Sequence, residues 1–88
     1  MCRNIKTLFN FDPPASNEEI YDASLQFVRK VSGFNKPSKA NEKVFTRAVE
    51  KVALNTKDFL ESIKTNAAPR NRQIEAERAR AKALKFYT

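Results

Sequence analysis

Cys2 is the one thiol of the chain, and it stands beside the cation Arg3. A neighbouring positive charge lowers a thiol pKa and raises its reactivity. A small second residue also permits removal of Met1, which would leave an N-terminal aminothiol. Cys2 is therefore the weak catalytic candidate, set against a reading in which it is a small hydrophobe packed beside Ile5. Carboxylates pair at Glu18 with Asp22 and at Glu75 with Glu77. Both pairs fall early in helical segments, where the macrodipole favours negative charge, and that accounts for them without catalysis. The chain has no histidine and one glycine. Ser/His and Cys/His nucleophiles, Cys/His zinc clusters and Gly-rich phosphate loops are thereby excluded, and no metal or cofactor is expected.

Cations form the pattern closest to a binding site. Arg78, Lys82 and Lys85 recur at i, i+4 and i+7, with Arg70, Arg72 and Arg80 near by. One helix edge of this kind can track successive phosphates, and arginine offers them bidentate contacts. The competing account is that cations late in a helix complement its dipole, as Arg29 and Lys30 would in an earlier segment led by Glu18, Glu19 and Asp22. A second basic stretch, Gly33 to Lys39, brackets Phe34 with lysines and could stack a base, although a helix-terminating contact also explains that ring. No helix pair matches a DNA-reading turn.

The elements that must carry these residues follow from periodicity. Eighty-eight residues, 41% hydrophobic with nine aromatics, predict one small globular domain with a thin core. Gly33 is the only glycine and no Asn-Gly or Asp-Gly hairpin is present, so helices are the default. Pro13, Pro14, Pro37 and Pro69 divide the chain into an N-terminal segment over 1–15 and helices over 16–33, 39–64 and 70–87. Ser16-Asn17-Glu18-Glu19 reads as a capping box opening the first helix, whose face is Ile20, Ser24, Phe27, Val28 and Val31. Gly33 ends it, with Phe34 expected to fold back towards Val28. The second helix gathers Phe45, Ala48, Val49, Val52, Thr56, Phe59, Leu60 and Ile63 on one arc and leaves Leu54 on its charged side. The third is alanine-rich with two thin stripes, Ala76, Ala79, Ala83, Phe86 and Tyr87 on one side and Ile74, Ala81 and Leu84 on the other. Such a helix can touch two bodies.

Net charge is +7, distributed as +1 over residues 1–15, −1 over 16–34, +3 over 35–65 and +4 over 66–88. This balance suits an anionic partner. A single cysteine rules out an intrachain disulfide and suggests a reducing compartment. No secretory signal or bilayer-length apolar run is seen, so the expected location is cytoplasmic, with no membrane partner.

The opening Met1-Cys2-Arg3-Asn4-Ile5-Lys6, the run Phe27-Val28-Arg29-Lys30-Val31-Ser32-Gly33, and Lys36-Pro37-Ser38 with Ala40-Asn41-Glu42 resemble a family of small bacterial proteins with a domain of unknown function. The likeness extends over the whole chain, through Pro69-Arg70 and the Glu/Ala/Arg-rich continuation. It implies a bacterial, intracellular, stand-alone domain and brings no activity or site residues. The expectation is thus an all-α fold, a small bundle of three main helices with the N-terminal segment packed across it. Its expected role is a non-catalytic module binding nucleic acid through phosphates, using Arg70, Arg72, Arg78, Arg80, Lys82 and Lys85. The alternative is a structural or regulatory protein-interaction module, including a homodimer built on the double-faced third helix. A thiol-dependent activity at Cys2 comes third.

Overall fold

A computed structural model describes the backbone of residues 5–87 and the side chains of residues 5–82. Strand β1 is Phe11–Asp12, helix α1 Asn17–Ser32, helix α2 Glu42–Ser62, strand β2 Arg70–Asn71 and helix α3 Arg72–Tyr87, with a 3₁₀ turn at Lys39–Asn41 before α2.

α1 starts where its capping residues dictate. The Glu19 amide donates to Ser16 Oγ at 3.1 Å, and the Ser16 amide donates to Glu19 Oε1 at 3.0 Å. Two amides that the helix cannot satisfy are thereby used, worth about 1 kcal/mol for the cap. The helix stops at Gly33, whose φ of +76° is left-handed and whose amide donates to Arg29 O at 2.9 Å. Phe34 does not become buried as the apolar return of this cap. Its amide goes to Ser32 Oγ and its ring stays half-exposed. α2 is led by the 3₁₀ turn without a side-chain cap, and it ends at Ser62, before Lys64, because Ile63 turns extended.

The two helices form an antiparallel hairpin: Asn17 and Ile20 of α1 lie with Leu60 and Glu61 of α2, and Phe27 lies with Val52. Ile20, Val28 and Val49 are the buried hydrophobics among the described residues. Buried Ser24 is satisfied by donating to Ile20 O at 2.7 Å. The N-terminal segment runs over one end of the hairpin, with Leu8, Phe9 and Phe11 half-buried against it. Phe59, expected inside, is mostly exposed, as are Val31, Val44 and Leu54.

Two expectations are corrected. The fold is predominantly helical but not strictly all-α: β1 and β2 form a two-stranded parallel ladder, pairing Phe11 with Arg70 and Asp12 with Asn71. The one local sign of a strand is the alternation of Phe9 and Phe11, in a segment where Ile5, Leu8 and Phe9 fit a helical turn equally well. The third helix also does not complete a bundle. Its described side chains contribute nothing buried, and it is joined to the rest chiefly through the ladder. The reason is its composition, since alanine stripes carry little apolar area to place against the hairpin. The radius of gyration, 15.6 Å, exceeds the roughly 12 Å of a compact chain this long.

Candidate functional site

The root of α3 is assembled from residues far apart in sequence. Asn10 adopts a left-handed φ of +63°, a conformation asparagine tolerates better than most side chains. From there its Nδ2 donates to Ala68 O at 3.0 Å, and its carbonyl accepts the Arg70 amide at 2.6 Å. The chain entering α3 is thus fastened to the chain entering α1. Asn71 then caps the new helix, its Oδ1 accepting the Ile74 amide at 3.0 Å.

Arg72 closes this junction. Its Nη1 and Nη2 donate to the two Glu19 oxygens at 3.0 and 3.1 Å, a bidentate pair. Its Nε and Nη2 also donate to Pro13 O at 3.1 and 2.9 Å. The guanidinium carbon lies 5.2 Å from the Phe11 ring centroid, and that of Arg70 lies 5.8 Å from the same ring. Glu19 therefore serves α1 as its cap and α3 as its anchor, with Lys6 Nζ a further 3.8 Å away. Hydrogen bonding from Arg72, then the Ser16 amide, holds the Glu19 carboxyl down at about 2, against an ordinary 4.5.

The cations read from the sequence separate into two groups. Arg72 is committed to Glu19, Pro13 and Phe11. Arg70 stacks at the root and has no carboxylate partner among the described residues. Arg78 is exposed and 3.6 Å from Glu75, a weak i,i+3 pair. Arg80 and Lys82 are exposed with no ion pair among the described residues. The Lys85 side chain and all of Cys2 lie outside the described residues. Ala76 and Ala79 look towards Leu8 and Phe11 across a cleft at the root, while helical spacing puts Arg78 and Lys82 on a different edge. Sequence reading missed Asn10, the stacking of Arg70 and Arg72 on Phe11, and the second role of Glu19. The capping box was visible, but nothing local pairs a carboxylate with an arginine 53 positions on.

Among the described residues no group of three or more Cys, Asp, Glu or His could hold a metal ion. Nor is any described helix long and apolar enough to cross a membrane.

Fold and site together define a small, basic, mostly helical protein: a helical hairpin with a tethered third helix bearing exposed cations. Residues 1–78 match the model of the uncharacterized conserved protein family DUF2277, and the chain belongs to that family. No curated protein and no solved structure matches it.

Proposed function

We propose that the protein is a non-catalytic binding module that holds nucleic acid through its phosphates, in the cytoplasm, with α3 as the contacting element. The observation that carries this reading is the exposure of Arg78, Arg80 and Lys82 on a helix standing clear of the hairpin. Such a helix can lie along a phosphate backbone without the rest of the fold intervening, and phosphate contacts need no base-reading geometry. Arg70 extends the positive surface to the root, and Lys85 continues the same helical row by spacing. Arg72 belongs to the anchor instead, because four of its five N–H donors are already used. Little sequence preference is expected, since the reading rests on phosphate contacts, which carry no base information.

Fluorescence anisotropy with mixed-sequence RNA and DNA oligonucleotides, titrated with salt, tests the reading. Binding at low ionic strength should weaken linearly on logarithmic axes, by about 0.9 per phosphate neutralised on duplex DNA. The triple change Arg78→Ala, Arg80→Ala, Lys82→Ala should flatten that slope by two to three contacts' worth, roughly 2 to 3. Absence of salt-dependent binding at low ionic strength overturns it.

A further inference from the structure

Beside its core, where buried Ser24 comes to the surface, the hairpin carries apolar residues gathered at one groove. Ile5, Phe27 and Phe59 are 43%, 45% and 64% exposed, and they meet there with Leu8, Ala23 and Val52. Lys6 is the one charged residue lining this groove, in a chain that is 31% charged. Depletion of charge around clustered aromatics marks the core of a protein interface. The fold also has reason to need one. Its buried hydrophobics are few, a lone cysteine allows no intrachain disulfide, and no metal-binding group stands among the described residues. Self-association is one of the usual supports for so small a core.

We infer that this groove is a homodimer interface whose occupant is the same face of a second copy, packed about a twofold axis. Charge complementarity selects that occupant. Along the α1 edge beside the groove, Asp22, Gln26 and Lys30 follow one another at i, i+4 and i+8. Asp22 and Lys30 are exposed and without ion pairs among the described residues. A twofold axis near Gln26 sets the two α1 helices antiparallel. Asp22 of each copy then meets Lys30 of the other, and Phe27 meets its own counterpart. The row is its own complement when reversed, so a second copy satisfies both ends at once. No described α3 residue lines the groove or the α1 edge beside it, so the inference stands apart from the nucleic-acid reading.

Sedimentation equilibrium on the full chain should give twice the 10.1 kDa chain mass. Phe59→Asp should weaken the dimer about thirtyfold or more, with helicity by circular dichroism retained because that side chain is already mostly in water. Asp22→Lys alone and Lys30→Asp alone should each weaken it a few-fold, and the double variant should recover the original affinity. If Phe59→Asp loses helicity, the charge-exchange set decides. A monomer persisting to about 1 mM overturns the inference and leaves the groove to a different protein. A dimer that ignores both Phe59→Asp and the charge exchanges also overturns it.

Discussion

Glu19 is where the most structure depends on one side chain. It receives the Ser16 amide at the start of α1 and the two terminal guanidinium nitrogens of Arg72 at the start of α3. The pair is partly exposed, Glu19 25% and Arg72 36%, which limits the strength of the attraction. Arg72→Ala is expected to cost about 1 to 2 kcal/mol in urea unfolding, and Arg72→Lys to recover only part of it because lysine lacks the two-pronged geometry. The pH dependence follows from the sign of the shift. The folded value of about 2 lies below the ordinary 4.5, so the contribution is full above 4.5 and lost as pH falls towards 2. Thermal melts between pH 5 and 2 should show this loss in the parent chain. Glu19→Gln should lower stability at pH 5 and remove that component of the slope. An unchanged slope would mean that the carboxylate does not link the two helices.

At the level of elements, α1 and α3 are made by different physics. α1 is specified at both ends by local chemistry, a capping box and a left-handed glycine, and along its length by a buried face. Gly33→Ala therefore tests backbone conformation alone, since an added Cβ meets no atom within 4 Å. A positive φ costs a non-glycine residue about 1 kcal/mol, and the loss should appear in denaturant unfolding with an unchanged m-value. α3 has high intrinsic propensity but almost no burial among its described side chains, so its stability comes from alanine content, the Asn71 cap and the Arg72 anchor. Amide hydrogen exchange should accordingly be fastest in α3 beyond its first turn and slowest around Ile20, Val28 and Val49. Equal protection across the three helices would contradict a tethered α3. These differences were legible in part beforehand. Capping residues and strong stripes act over three or four positions and can be read directly, which is why α1 is recovered to within a residue at each end. The fate of Phe59 and the place of α3 depend on what lies opposite them, and no local pattern records that.

Over the whole molecule, the exposed α3 and the exposed apolar groove share one origin: a hairpin with a small core that covers neither. The positive charge on α3 suits an anion, and the neutral groove beside α1 suits a like surface. Sequence by itself determined the helical character, the ends of α1, the absence of histidine-based chemistry and the concentration of charge towards the C-terminus. Each of these depends on composition or on neighbours within one helical turn. Tertiary structure alone decided that Phe11 and Asp12 pair with Arg70 and Asn71, that Arg72 is an anchor, and that the third helix is tethered outside the core. Those outcomes rest on contacts more than fifty residues apart along the chain, whose formation depends on how the hairpin brings the two segments together.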